Sequence, residues 1–129
     1  MNAGEMKSVL AYSPETIAAI GEPDLKILIQ VFHEAVQGLE ALRTNPQQLT
    51  RSELWSIVHH IEVNLVPRLT GIRDAATRQA GGSLGDMAEA MDVPRSTAQT
   101  RKEALDQREP SKFERWALGE LDWDSEIDD

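Results

Sequence analysis

The chain has 129 residues and no cysteine, which fits one domain with tails and excludes disulfides, thiolate metal sites and thiol nucleophiles. Its 13 basic and 22 acidic residues give a net charge of −9. This charge argues against nonspecific binding of nucleic acid or anionic lipid over the whole surface, but it allows a local basic patch. No apolar run approaches the roughly 20 residues that span a bilayer, so we expect a cytoplasmic protein without a membrane partner. An aromatic content of 5% and the abundance of Ala, Leu, Glu and Gln predict an all-α fold, a helical bundle.

The first half of the chain predicts a helical bundle region over residues 13–66, preceded by a flexible N-terminus over 1–12. Ser13 and Pro14 are typical of a helix start, and Gly21 of its end. From Asp24 to about Arg43, apolar residues recur at spacings of three and four and predict an amphipathic helix: Leu25, Leu28, Phe32, Ala35, Val36, Leu39 and Leu42. Ile27, Ile29 and Val31 widen this face, so we expect a central helix or one that pairs with a partner subunit in a homodimer.

Breaks and caps divide the middle of the chain. Thr44-Asn45-Pro46 ends the long helix, and Thr50 with Glu53 has the spacing of a capping box. An apolar stripe then runs on past Pro67, which removes an amide donor and predicts two helices, over about 50–65 and 67–80. Gly81-Gly82 ends the second of these.

The second half predicts a DNA-binding region over 67–118 and an acidic tail over 119–129, which holds six acids and no base. Three further helices are expected over Ser83–Met91, Arg95–Asp106 and Ser111–Leu121. Ser83 with Asp86, and Ser111 with Glu114, are pairs typical of a helix start, because a carboxylate in the first turn also suits the helix dipole.

The segment 83–105 carries the main functional signature. Its inward residues would be Met87, Ala88 and Met91 on one helix, Val93 in the turn, and Ala98 and Leu105 on the next. A small side chain at Ala88 suits two helices that cross closely, and Asp92 tolerates a left-handed turn conformation.

This segment resembles the helix-turn-helix of bacterial transcriptional regulators, notably the lac-repressor type and many actinobacterial regulators. The residues that carry the resemblance are Leu84, Met87, Ala88, Met91, Val93, Arg95, Ser96, Thr97 and Ala98. Asp92 and Pro94 depart from the pattern, in which glycine and serine are usual, and Arg101 stands where an apolar residue is common. The resemblance implies a sequence-specific, DNA-binding transcriptional regulator whose second helix, about 95–106, enters the major groove.

The resemblance also implies which residues meet double-stranded DNA. Gln99 suits adenine and Arg95 suits guanine or a phosphate, while Ser96, Thr97 and Thr100 lie at the start of the same helix. Lys102 and Arg73 are expected to contact phosphates, and the backbone N–H groups at Ser83 to seat one. The charge distribution agrees, because residues 68–108 hold seven bases and six acids whereas the remainder holds six bases and 16 acids.

The histidines and the other polar groups of the sequence predict neither a metal site nor an active site. His33, His59, His60 and Glu62 do not present three ligands on one helical face, so we expect neutral histidines and no metal. No nucleophile–base order, glycine-rich phosphate loop or paired carboxylate points to catalysis, so we expect no enzyme and no cofactor.

The tryptophans and the acids leave a second function open. Trp55 and Trp116 are expected in the core, whereas Trp123 stands among acids, either as an anchor for a basic protein partner or as a solvated tail residue. The alternative to a DNA-binding regulator is therefore an acidic protein-interaction module, similar to an antitoxin, that neutralises a basic partner without binding DNA.

Overall fold

The computed structural model describes residues 11–121, and this part of the chain contains helices and turns without a strand. The all-α prediction is confirmed. The helices are α1 (Pro14–Ile20), α2 (Glu22–Thr44), α3 (Arg51–His59), α4 (Val66–Ala80), α5 (Leu84–Met91), α6 (Arg95–Asp106) and α7 (Lys112–Ala117). Most of the predicted flexible N-terminus and of the acidic tail, including Trp123, lies outside the described residues.

The chain divides into two compact units, the first ending at Leu69 and the second beginning at Thr70. In the first unit, α1 packs on α2, and α2 packs along the six-residue π-helical segment His60–Leu65. Gly38 is buried where α2 meets α3, and a Cβ there would lie 3.1 Å from the Ile57 side chain. A buried glycine thus lets these two helices approach closely.

Local sequence signals set most helix ends as predicted. The Ser13 hydroxyl accepts the Thr16 N–H at the start of α1, and Thr50 and Glu53 form the predicted capping box of α3. Gly81 and Gly82 follow α4 with φ of +64° and +88°, a region that favours glycine. The structure places a boundary near Pro67, between a π-helical segment that ends at Leu65 and α4, which begins at Val66, but the helical run is not interrupted there. Helix α3 continues through the π segment into α4, and the wider turn ends at Val66, whose N–H donates to the Ile61 carbonyl just before the residue that has no N–H.

In the first unit, α2 is only partly covered, and the core prediction for Trp55 is wrong. The second half of the α2 stripe is exposed, with Val36 at 59% and Leu39 at 50%, while Val31 and Gly38 take the buried positions. Trp55, expected in the core, is 64% exposed. Within residues 11–121, these apolar side chains are not covered by a core.

The second unit builds its core from α4, α5, α6 and α7. Gly71 of α4 is buried so close to α7 that a Cβ would lie 2.6 Å from the Phe113 backbone. Trp116 is buried as predicted. Helix α7 ends at Ala117, four residues before the expected end at Leu121. Leu121, the last described residue, is nevertheless buried.

Candidate nucleic-acid interface

Helices α5 and α6 form a tight pair joined by a three-residue turn. Ala98 is 0% exposed and Ala88 is buried, so small side chains line the helix contact as the sequence predicted. Asp92 adopts the left-handed conformation, with φ 52° and ψ 50°. Its N–H donates to the Glu89 carbonyl and the Val93 N–H to the Ala88 carbonyl, the pair of bonds that closes a helix in the Schellman motif.

Pro94 then starts α6 without a side-chain cap. Its carbonyl accepts the N–H groups of Thr97 and Ala98 at 3.0 and 3.1 Å, so the first turn of α6 is fixed by backbone bonds alone. The side chains of this turn are consequently not used as caps. Arg95 and Ser96 are exposed, and Thr97 is half-buried.

Two of the residues predicted to contact DNA, Gln99 and Thr100, are exposed on α6. Gln99 is exposed, and its Nε2 donates to Glu103 Oε1 at 3.0 Å. The Thr100 hydroxyl donates to the Ser96 carbonyl at 3.1 Å. Both are single bonds at the surface, which a base or a phosphate can replace at low cost.

Three bases occupy the N-terminal two thirds of α6. Lys102 forms an exposed i,i+4 pair with Asp106 at 3.3 Å, whereas no partner is recorded for Arg95 or Arg101 among residues 11–121. Residues 95–102 contain no acid, and the two acids of α6, Glu103 and Asp106, follow in its last turn. The start of this helix is therefore a short basic surface within an acidic protein.

The predicted phosphate seat at Ser83 is already occupied. The Ser83 N–H donates to Asp86 Oδ2 at 3.1 Å, while the Ser83 hydroxyl accepts the Asp86 N–H. These bonds, the backbone one first, hold the pKa of Asp86 below its ordinary value, so the carboxylate stays ionised where a phosphate was expected. The Ser83 N–H is thus removed from the predicted donors.

Arg73 is paired as well. Its guanidinium contacts Asp74 Oδ1 at 2.9 and 3.0 Å, although its side chain remains 55% exposed. Arg73 can still reach a phosphate, but only as part of an ion pair that lowers its net positive potential.

Sequence reasoning missed a network of ion pairs around two buried carboxylates, Asp74 and Glu114, in the second unit. Glu114 is 0% exposed and accepts from Arg78 at 3.2 Å and from Arg108 at 3.0 and 3.3 Å; Arg108 also donates to Asp74 Oδ2 at 3.1 Å. Burial alone would raise the pKa of Glu114, but the bonds from Arg108, the Ser111 N–H and Arg78 outweigh it and lower the pKa. No local pattern signals these pairs, because Arg78 lies 36 residues from Glu114.

Because of this network, several of the bases counted in residues 68–108 do not contribute to a basic surface. Arg78 and Arg108 tie α4 and the end of α6 to α7. In the first unit, Arg68 is buried and donates to the Asn64 carbonyl. Five of the seven bases counted in 68–108, Arg73 and Lys102 included, thus have internal bonds, and of these seven only Arg95 and Arg101 of α6 remain without one among residues 11–121.

The first unit contributes an exposed apolar surface. We call the following seven exposed residues of α2 and α3 the apolar surface: Phe32, Val36, Leu39, Leu42, Leu54, Trp55 and Val58. Phe32, Val36 and Leu39 share one helical face, as their spacing requires. A set of large apolar side chains this dense is typical of a protein–protein contact.

Comparison of the chain with protein-family models, curated proteins and solved structures finds no match. Within residues 11–121, no three His, Asp or Glu side chains come together as metal ligands. His60 instead lies 3.0 Å from Glu34. No helix in the same range is long and apolar enough to cross a membrane.

Proposed function

We propose that this protein binds double-stranded DNA sequence-specifically through α6 and acts, as a homodimer, as a transcriptional regulator. The observation that carries the proposal is the acid-free start of α6, residues 95–102, whose side chains are exposed apart from Thr97 and Ala98. Helix α6 packs on α5, where Ala88 and Ala98 are buried, and the left-handed turn at Asp92 joins the two helices. A helix with its side chains is about 10–12 Å in diameter and so fits a major groove about 12 Å wide, and the 12 residues of α6 give it a length of about 18 Å.

The contacts divide into two kinds. Gln99 and Arg95 are the base-reading side chains, because an amide pairs with adenine and a guanidinium with guanine. Ser96, Thr97, Thr100, Lys102 and Arg73 position the helix through phosphates or sugar edges. Exposed Glu89 and Asp92 repel phosphates, so α5 stays away from the backbone and α6 approaches the groove by its first turns.

A dimer supplies the contact area that one α6 lacks. A specific protein–DNA interface buries about 1,000–2,500 Å² of protein surface, more than one short helix presents. The apolar surface of the first unit offers a self-complementary patch for a second copy. A two-fold dimer would place two α6 helices one DNA turn apart, about 34–36 Å, or a multiple of it.

A gel shift with random-sequence duplexes at about 50 mM and about 200 mM salt tests the proposal, since phosphate contacts make affinity salt-dependent. We expect a retained subset of duplexes at the higher salt and broader retention at the lower. Retention of none at either salt would reject DNA binding.

The alternative is an acidic protein-interaction module, and the exposed apolar surface together with the excess of nine acids favours it. In this case the apolar surface would bind a basic partner rather than a second copy. The gel shift separates the two functions, because the alternative retains no duplex at either salt.

A further inference from the structure

A cleft in the second unit is lined by α4, α5, α6 and the residue Arg108. Met87, Met91 and Leu105 form its apolar part, while Arg73, Arg101 and Arg108 supply guanidinium groups, and we call it the arginine cleft. Its volume is about 200 Å³. Drug-sized ligands need pockets of roughly 300–1,000 Å³, so this cleft suits one or two side chains of a peptide.

The arginine cleft carries excess positive charge. Asp74 is the one acid in its lining, and Arg73 and Arg108 both bond it, while Arg108 also pairs with Glu114, which lies outside the lining. Arg101, which has no recorded partner in residues 11–121, adds a further charge. A larger neighbouring cavity of about 440 Å³ is balanced instead, with Arg78 and Lys102 against Asp86 and Asp106. The arginine cleft therefore selects an anionic occupant that also has an apolar group.

The chain itself contains such a segment. Residues 122–129 read DWDSEIDD, with five acids, no base, and Trp123 between two aspartates. Carboxylates pair with guanidinium groups, and an indole both stacks on arginine and fills an apolar recess. The composition of this segment complements the cleft in charge and in apolar character.

The tether allows the contact. Leu121 is buried in the same unit as the cleft, so the segment leaves from this unit. Trp123 stands two residues beyond Leu121, so its Cα lies within about 7 Å of the Leu121 Cα, and the six residues after it can reach about 20 Å further. A short tether also gives a millimolar effective concentration, which makes weak contacts sufficient.

We propose that the arginine cleft is the docking site of the chain's own residues 122–129, with Trp123 against Met87, Met91 and Leu105 and the flanking aspartates on Arg101 and Arg73. The docking does not involve DNA, so it can be tested independently of the proposed function. Its occupation would cover Arg101 beside the basic start of α6.

The test is ¹⁹F NMR of the full chain labelled with 5-fluorotryptophan. The three tryptophans give three resonances, and Trp123→Phe assigns one of them. At about 50 mM salt, we expect the Trp123 resonance to differ from that of the fluorinated peptide DWDSEIDD free in solution. It should return to the peptide value at about 1 M salt, where charges are screened beyond about 3 Å.

Two variants locate the contact. Arg101→Glu should return the Trp123 resonance to the peptide value, whereas Arg95→Glu should leave it shifted, because Arg95 is exposed on the same helix but does not line the cleft. The buried Trp116 resonance reports that each variant is folded. A Trp123 resonance at the peptide value in the wild type, or an equal response to both variants, would overturn the proposal. A shift lost on dilution would also overturn it, since it would place the segment on a second copy.

Discussion

In the second unit, arginines pair with the buried carboxylate of Glu114. Glu114 caps α7 through the Ser111 N–H and at the same time accepts from Arg78 and Arg108. A carboxylate buried without such donors would be costly, and the donors keep it ionised. Arg78 and Arg108, which are two of the seven bases in residues 68–108, are therefore engaged with buried carboxylates of the fold.

Glu114 gives a pH-dependent contribution to stability. Its pKa is lower in the folded state than in the unfolded chain, so its contribution is full above the unfolded pKa and is lost as pH falls through the folded one. Glu114→Gln should lower the free energy of unfolding by about 1–3 kcal/mol at pH 7. The difference in free energy of unfolding between the wild type and Glu114→Gln should shrink below about pH 4.3, the ordinary pKa of a glutamate.

Urea unfolding followed by fluorescence from pH 3 to 7 measures this gap, and the exposed Glu109→Gln is the matched control. The control should track the wild type throughout. An unchanged Glu114→Gln gap across this pH range would contradict the assignment.

The residues of α6 should separate by the kind of DNA contact they make. Gln99→Ala and Arg95→Ala each remove a directed base contact and should lower specific affinity by about 1–3 kcal/mol, with little effect on nonspecific binding. Lys102→Ala should weaken all sequences alike and flatten the salt slope by about one unit. Titrations of one retained duplex and one unrelated duplex measure both effects. Identical behaviour of the three variants would mean that another element enters the groove.

At the scale of elements, helix ends were predictable because their causes are local. The cap pairs Thr50–Glu53, Ser83–Asp86 and Ser111–Glu114 act over three residues, so spacing alone indicates them. Asp92 was likewise predictable in its left-handed turn.

Features that depend on distant residues were not predictable. The period of α2 identifies an apolar face but not the neighbour that covers it, so the exposure of Leu39 is set by tertiary packing. The same holds for the pairing of Arg108 with Asp74, 34 residues apart. At Pro67, the sequence shows the missing donor but not the π segment that precedes it.

The contact of α4 with α7 should depend on the absence of a side chain at Gly71. Gly71→Ala adds a Cβ 2.6 Å from the Phe113 backbone and should destabilise the second unit by about 1–3 kcal/mol. Gly85→Ala is the matched control, because its nearest neighbour, the Ser83 hydroxyl, lies at an ordinary 3.6 Å. Since alanine favours a helix, the control should hold or gain stability. Unfolding monitored by the buried Trp116 distinguishes them, and equal stabilities would refute the close contact.

At the scale of the whole molecule, the apolar surface predicts a dimer. Leu39→Asp places a charge in the middle of this surface and should convert a dimer to a monomer in sedimentation at micromolar concentration. Leu118→Asp, at an exposed apolar residue of the second unit, should remain dimeric. Circular dichroism checks that both variants stay helical. A monomeric wild type, in solution and on DNA, would contradict the dimer.

The net charge of the chain limits how the proposed DNA complex could form. With a net charge of −9, most of the surface would repel phosphates, and the proposed binding would rely on the start of α6 in each of two copies. Specific contacts, rather than a general attraction, must then supply most of the affinity, so nonspecific binding should be weak.

Selection of bound duplexes from a random-sequence pool, followed by sequencing, tests the central claim most directly. Two α6 helices related by a two-fold axis should enrich an inverted repeat whose half-sites are centred about 10 base pairs apart or a multiple of that. Arg95→Ala should relax the preference at one position in each half-site. A pool whose composition after several rounds equals that before selection would contradict sequence-specific DNA binding by this protein.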